Sequence, residues 1–541
     1  MNYLRTGFFI AVFVLTFMPV LSQTEQQNSE NDIYLFSPEY FFNKNFPENF
    51  IPREALTIQK ENFRAALGVL LYTDFSYVNN SDLNSQSDFS DQLWIIHGFL
   101  GLMLQAHLGS WLQLMLTMEN NSFPGGDESE QNYFPNTPSI ISVENYFYPG
   151  QMYVRLFMTT AGIPIRITLG KQNIKGIVDY HDGYSTIAFP QEIQGLLINA
   201  NSAFGNLNFL ALDILNLYQN WILPPALYGK TAKVSSDIIG NFQGDALSFR
   251  SGIIYQTPDI FKNTKPLKWY WNLSTLFTRY GPVITGIDRA DGTGKYSDND
   301  YIFHYGLTTY LKWINFSVLL ESCLSNGVDR KLPDLFGNSM DISANGLFLR
   351  TGIFWDIPAK SPARHILELN VMYSEGPVMN TTGTIANYGF TAPGLQDFGG
   401  FLLNHVWGFK PYSMSLNNGV VHNRSNGYYH SSGAISVNLA YKVLFQTLGL
   451  YFQSRFLFDS AIYNEKLNIF TDKTIFPNFQ SRYIGNENII SVIIKMNTMI
   501  QWFFSAEIFI PGESFLYVKN GIFSDKDDSF YGFIGGLKII F

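Results

Sequence analysis

Apolar and polar residues alternate at period two in short segments along the chain. In residues 151–160 the even positions from Met152 to Met158 are wholly apolar, whereas Arg155 stands among the odd positions. After the short connection Ala161-Gly162 the alternation resumes with reversed parity, and Arg166 falls on the polar face. Because successive side chains of a strand point to opposite faces, this pattern predicts a two-stranded hairpin with one apolar and one polar face.

The same alternation recurs in several later segments, which also predict two-faced strands: residues 247–256, 347–356, 366–374 and 435–445. A wholly apolar face suits lipid, and the opposite polar face suits a wet or ion-paired interior. The pattern favours an all-β fold, a transmembrane antiparallel β-barrel.

Predicted connections alternate between tight and long, as bacterial outer-membrane barrels require. The tight ones fall near residues 108–110, 161–162, 204–206, 312–313, 446 and 496–498, with somewhat longer ones at 257–268 and 357–362. The long ones occupy about 73–92, 119–150, 173–192, 215–246, 279–300, 324–346, 375–433, 459–487 and 511–529. We therefore expect about 18 strands (range 16–20), with short periplasmic turns and long extracellular loops; residues 401–409 and 515–523 could be further strands.

The two ends of the chain indicate export to an outer membrane. Residues 530–541 alternate and end on Phe541, a terminal strand that resembles the signal read by the barrel-assembly machinery. Residues 1–22 combine one positive charge with an apolar run, which predicts a signal peptide; an N-terminal anchor helix is the alternative. Residues 23–61 are polar and contain prolines, so we expect a periplasmic tail or a plug, followed by the barrel at 62–541.

Composition agrees with a membrane protein whose apolar surface is dispersed. Aromatic residues make up 16% and charged residues only 15% of the 541 residues, and the formal net charge is −9. Charged residues are scarcer than the roughly 25% typical of soluble domains. We expect outer-membrane lipid, the assembly machinery and small solutes as partners, and no nucleic acid. We expect the protein to reside in the outer membrane of a diderm (Gram-negative-type) bacterium.

Charged residues on the polar parity are the candidate functional residues. An arginine facing lipid at mid-depth would cost about 2–4 kcal/mol, so parity and energetics both place these side chains in the lumen. The candidates are Arg155, Arg166, Arg250, Arg350, Arg455, Lys442, Glu321, Glu368 and Glu507. They could form a constriction that selects solutes by charge, or ion pairs that fill and stiffen the barrel.

Tryptophans near the predicted tight turns are candidates for an interfacial aromatic girdle. They are Trp269, Trp271, Trp355 and Trp502, each on the apolar parity of its strand. A soluble β-sandwich could bury such residues too, but about 520 residues exceed one ordinary core.

No grouping of residues predicts catalysis or a cofactor. The eight histidines are scattered, and His97 and His107 are too far apart along one strand to share a site. A loop with Asp288 and Asp291 lacks the glutamate that would end an EF-hand, so a solvated acidic loop is favoured over calcium. We expect no enzyme activity, no cofactor and no metal.

Several short motifs resemble alginate-export-type outer-membrane channels. Residues 167–172 with 194–198 are similar to that family's "lGrQ … fdGv" hairpin. Residues 367–376, followed by 390–393 and Asn404, look like its strand, loop and Asn segment, and residues 508–512 resemble the end of its penultimate strand. The resemblance implies an 18-stranded channel. The family's arginine is Lys171 here, its tyrosine-glycine-aspartate motif is replaced by residues 174–179, and a polyanion would need a strongly positive lumen. The resemblance therefore supports the architecture more than an alginate substrate.

The sequence predicts an outer-membrane, porin-like channel for passive passage of small hydrophilic solutes. The alternatives are a surface adhesin or binding protein on a sealed barrel, motivated by the long loops, and a substrate-specific export or uptake channel. Nothing in the sequence indicates the oligomeric state.

Overall fold

The structure is a computed structural model of the 541-residue chain. It describes residues 56–79, 93–120, 148–160, 163–173, 192–204, 207–215, 247–256, 267–279, 301–329, 342–358, 362–376, 378–379, 385–387, 389–392, 429–430, 434–445, 447–459, 483–496, 499–512 and 530–541. The predicted signal peptide, nearly all of the predicted tail and the possible strands at 401–409 and 515–523 lie outside these residues.

The secondary-structure elements of the described residues are all β-strands. The first half contains β1 Thr57–Lys60, β2 Phe63–Val78, β3 Leu93–Leu108, β4 Leu112–Asn120, β5 Tyr148–Thr160, β6 Ile163–Asn173, β7 Glu192–Phe204, β8 Leu207–Leu215, β9 Leu247–Gln256, β10 Leu267–Arg279, β11 Tyr301–Trp313 and β12 Phe316–Asp329. The second half contains β13 Ile342–Ser343, β14 Gly346–Ile357, β15 Arg364–Ser374, β16 Val378–Met379, β17 Ile385–Asn387, β18 Thr391–Ala392, β19 Tyr429–His430, β20 Ala434–Phe445, β21 Leu448–Asp459, β22 Tyr483–Lys495, β23 Ile500–Pro511 and β24 Phe530–Ile540. The predicted all-β class and the strands predicted from alternation are confirmed.

The long strands pair with their neighbours in chain order, and the sheet returns to its start. Antiparallel ladders join β2 through β8 in sequence, then β9 through β12. Strands β8 and β9 lie side by side. Further ladders join β12, β14, β15 and β20 through β24, and β24 pairs with β2. The sheet therefore returns to its first long strand, as the sheet of a barrel does.

The short strands lie in three places. Strand β1 pairs with residues of β2 that extend beyond the end of β24, so it covers the remaining edge of β2. Strands β13, β16 and β17 form a small paired group next to β12 and β14. Strands β18 and β19 form a separate two-stranded sheet.

One rim of the sheet carries the tight turns, and we call it the tight-turn edge. Residues 109–111 connect β3 to β4 there, and Ile314 and Asn315 connect β11 to β12. The turn predicted near Lys312-Trp313 lies two residues later, because Trp313 still pairs with Phe316 in the ladder. Ile314 takes the left-handed conformation, with φ of 53°, which a β-branched residue rarely adopts and which sequence rules do not foresee.

The polarity of the sheet is the reverse of that of a soluble protein. On β12, Leu320 and Leu324 are 42% and 50% exposed, whereas Glu321 between them is 1% exposed. On β24, Phe533 is exposed and Lys538 is buried. The outward face is apolar and the inward face carries the charges, as the alternation predicted.

Candidate functional site

Opposite charges meet on the inner face because strand register places them side by side. Glu321 of β12 stands directly opposite Arg350 of β14. Their Oε2 and Nη2 atoms are 2.8 Å apart, and both side chains are almost completely buried. Directly opposite residues have Cβ atoms about 4.5–5.5 Å apart, so the two long side chains meet without leaving their strands.

Two further ion pairs continue along the same wall. Lys442 Nζ lies 2.7 Å from Glu368 Oε1, although Glu368 stands opposite Ala440 rather than opposite the lysine. Arg455 Nη1 donates to Glu487 Oε2 at 3.0 Å. The lysine also lies over the ring of Tyr451, 5.0 Å from its centroid, a cation–π distance.

Glu487 was not among the residues predicted from sequence. The long connection was predicted to run to residue 487, whereas β22 begins at Tyr483 and carries Glu487 on its inner face. Glu487 and Ser491, which are polar and share one parity, were the signal that could have extended the strand.

The inner face of β4, β5 and β6 holds Arg155. Its Nε donates to Thr168 Oγ1 at 3.1 Å, and its Nη1 donates to Gln113 Oε1 at 3.4 Å. The guanidinium carbon is 4.6 Å from the centroid of the Tyr153 ring. Neighbours on three strands therefore hold this guanidinium in one place.

Arg166 shares the inner parity of β6 but lies nearer the tight-turn edge. It stands opposite Phe157, while Arg155 stands opposite Thr168, so the two arginines are diagonal neighbours. Arg166 is half-buried, whereas Arg155 is 7% exposed. The structure thus brings the two predicted arginines to one part of the wall.

The remaining predicted charges are distributed around the sheet. Glu507 is buried on the inner face of β23. Arg250 lies in β9, where the structure describes the backbone alone. Lys538 of β24, which is not among the predicted candidates, is also buried on this face.

The wall from β12 to β22 is close to electrically neutral. Each cation of the three pairs has a carboxylate within 3.0 Å. Paired charges cancel at a distance, so this wall has little net field with which to attract one sign of solute. The arrangement suits a polar surface that is chemically inert.

A fold-back segment, residues 385–387 and 389–390, covers the opposite end of this wall. The Phe390 ring is fully buried, 5.4 Å from the ring of Phe348 on the inner face of β14. The backbones approach so closely that a Cβ on Gly346 would lie 2.0 Å from the Phe390 nitrogen. Glycine at position 346 therefore allows the segment to lie against the strand.

Reciprocal amide contacts hold the fold-back segment. Asn345 donates its backbone N–H to Asn387 Oδ1 at 2.9 Å, and Asn387 Nδ2 donates to the Asn345 carbonyl at 2.8 Å. Phe390 donates its N–H to the Glu375 carbonyl at 2.9 Å. The connection after β15 thus begins on the inner side of the sheet, which the alternation pattern did not predict.

Tryptophans cluster at the tight-turn edge. Trp355 and Trp502 are exposed on the outer face, and Trp502 stacks on Phe504 at 6.4 Å. Trp111 and Trp313 are also exposed beside tight turns but were not predicted. Trp269 and Trp271 lie in β10, where only the backbone is described.

No group of three or more His, Cys, Asp or Glu residues in the described ranges could hold a metal ion. The aspartate-containing loop at 288–300 lies outside those ranges. Cys323 is a free, buried cysteine.

No helix among the described residues is long and apolar enough to span a membrane.

A scan of protein-family models finds no match to this sequence, and a search of curated proteins finds none either. Solved structures do match. OmpT, an outer membrane protein of Vibrio cholerae, is 9% identical over 90% of this chain and 99% of its own, with a TM-score of 0.32. The anion-selective porin from Comamonas acidovorans is 11% identical over 88% of this chain and 100% of its own, with a TM-score of 0.36.

A third matching structure is OccK9 (OpdG) of Pseudomonas aeruginosa. It is 11% identical over 88% of this chain and 98% of its own, with a TM-score of 0.43. At these identities and TM-scores the matches support no inference about solute or mechanism.

Proposed function

We propose that the chain is an outer-membrane channel of a diderm bacterium, through which small hydrophilic solutes diffuse. The observation that carries the proposal is the reversed polarity of a closed antiparallel sheet. In lipid every backbone polar group must be paired, and a closed barrel is the only β-structure that achieves this. Exposed apolar side chains such as Ile490 fit the lipid, and buried ion pairs such as Glu321–Arg350 fit the interior.

The barrel wall in this proposal consists of the 18 strands of nine or more residues, β2–β12, β14, β15 and β20–β24. Barrels of 16–18 strands are wide enough for an aqueous lumen. The tight-turn edge with its exposed tryptophans would face the periplasm, and the long connections would face the outside. Passage through such a channel needs no cofactor and no chemical step.

Because the wall from β12 to β22 is close to neutral, we expect that side of the lumen to select solutes only weakly by charge. The Arg155 and Arg166 pair on the other side is the stronger candidate for charge selection, because both residues share one part of the wall. This division supports a general channel for polar solutes over a dedicated polyanion exporter.

The sealed scaffold is the second candidate, and the depth of burial of the ion pairs favours it. Glu368 is 0% exposed and Glu321 is 1% exposed, as expected of side chains that fill an interior. In that case the long connections, such as 375–433, would carry the function by binding a partner at the cell surface.

Liposome swelling separates the two candidates. We expect liposomes that contain refolded protein to swell in isotonic arabinose faster than protein-free liposomes, and more slowly as the solute grows larger. Swelling no faster than in protein-free liposomes, with folded protein present, would contradict the channel and favour the sealed scaffold. Recovery of the mature chain in the periplasmic fraction would contradict both.

A further inference from the structure

Three amide side chains occupy neighbouring inner-face positions on β15, β20 and β21. Asn370 stands directly opposite Asn438. Gln453 stands opposite Ala440, the inner-face residue that follows Asn438 on its strand. Direct and diagonal neighbours on paired strands lie within reach of long side chains, so we treat Asn370, Asn438 and Gln453 as one amide patch.

The patch has hydrogen-bonding capacity that the described protein does not use. Asn438 is 7% exposed and Gln453 is 8% exposed. Asn370 Nδ2, Asn438 Oδ1 and Gln453 Nε2 have no hydrogen-bond partner among the described residues. Buried amides without partners cost free energy, and three on adjacent strands point to a partner that comes from solution.

The surroundings of the patch are charged but neutral in sum. Arg455, which pairs with Glu487, stands opposite Asn438. Glu368, which pairs with Lys442, stands opposite Ala440. A charged ligand would compete with one partner of these pairs for its counter-charge, whereas a neutral ligand would leave both pairs intact.

We propose that the amide patch is a hydrogen-bonding subsite for neutral polyhydroxylated solutes, such as sugars and polyols. Each hydroxyl of such a solute can both donate and accept, which matches two amide donors beside one amide acceptor. This inference rests on the proposed channel function and names the class of solute that the channel takes.

The test compares a variant that loses hydrogen bonding with a matched control. Asn438→Leu with Gln453→Met removes the amides at nearly constant volume. Gln151→Met is the control, because Gln151 is also 8% exposed on the inner face and its hydrogen bonds to Thr117 use only its backbone. Heat-modifiable gel mobility checks folding.

Sucrose is the neutral probe and gluconate the hydroxylated anion. We expect sucrose to give saturation-transfer NMR signals with the detergent-refolded protein and to lower its ion current in planar bilayers. The double variant should weaken both effects at least tenfold in apparent affinity, and Gln151→Met should match the wild type. Gluconate should bind at least tenfold more weakly than sucrose.

Equal sucrose binding by wild type and the folded double variant would overturn the proposal, and so would tighter binding of gluconate or an absence of sucrose signal with the wild type. If the double variant fails to fold, Gln453→Met alone decides, with at least a threefold weakening expected. Current without any sucrose effect would contradict this subsite only. Sucrose binding without current would contradict the channel function only.

Discussion

Strand register, rather than closeness in sequence, decides which side chains of the inner wall become neighbours. Glu321 and Arg350 are neighbours only because β12 pairs with β14 in one particular alignment. Taking both charges out of water costs roughly as much as their attraction returns, so the pair adds little net stability. Loss of one partner is different, because it leaves the other charge buried and uncompensated.

Arg350→Met should therefore destabilise the folded protein by about 3–5 kcal/mol. The double variant Glu321→Leu with Arg350→Met should regain most of that loss, because no unpaired charge remains. Urea unfolding in detergent micelles, followed by tryptophan fluorescence, measures both. If the Arg350→Met variant is as stable as the wild type, water reaches the Glu321 carboxylate and screens its charge.

Arg155 and Arg166 are the charges whose position permits selection by sign. Replacing both with glutamate should reverse the local potential and shift the reversal potential in a salt gradient toward cation selectivity. The control is replacement of both with glutamine, which should give a smaller shift in the same direction. Unchanged selectivity in a correctly folded glutamate variant would place both residues outside the conducting path.

Among the strands, the segments and the β5–β6 hairpin were predictable, whereas the contacts that depend on exact register were not. The period-two pattern follows from the pleat of the strand itself. The strand predicted at 347–356 therefore matches the bounds of β14 to within one residue at each end. The Glu487 ion pair and the Phe390 contact with Gly346 depend on register and on a connection that returns to the sheet. Those long-range contacts leave no local pattern in the sequence.

The outer face of β12 allows a test of lipid exposure within one strand. Leu320→Arg, at mid-depth, should destabilise the protein in lipid bilayers by about 2–4 kcal/mol. Phe316→Arg, equally exposed but beside the tight turn, should cost about 0–1 kcal/mol. Unfolding in phospholipid vesicles measures the difference. Equal costs for the two variants would mean that this face does not lie in a membrane.

Closure of the sheet depends on one seam, where β24 pairs with β2. The ladder runs from Leu70 opposite Ile540 to Val78 opposite Gly532. Val69 and Phe541 extend it by exchanging two backbone hydrogen bonds, of 2.6 and 2.9 Å. These bonds join strands that are more than 450 positions apart in the sequence.

A disulfide across the seam tests closure directly. Leu70→Cys with Ile540→Cys, in a Cys323→Ala background, places two thiols on opposite residues whose Cβ atoms can approach to bonding distance. We expect most of the oxidised, refolded protein to run with altered mobility on a denaturing, non-reducing gel. Leu70→Cys with Ile534→Cys is the control and should stay uncrosslinked, because Ile534 lies about 20 Å farther along β24. Equal lack of crosslinking in both would contradict the closed sheet.

The most direct test of the channel is single-channel recording of the refolded wild-type protein in planar lipid bilayers. A closed barrel with a polar interior predicts discrete conductance steps of uniform size that grow with salt concentration. Heat-modifiable gel mobility confirms that the sample is folded. Absence of any step across voltages and salts, with folded protein inserted, would contradict the channel.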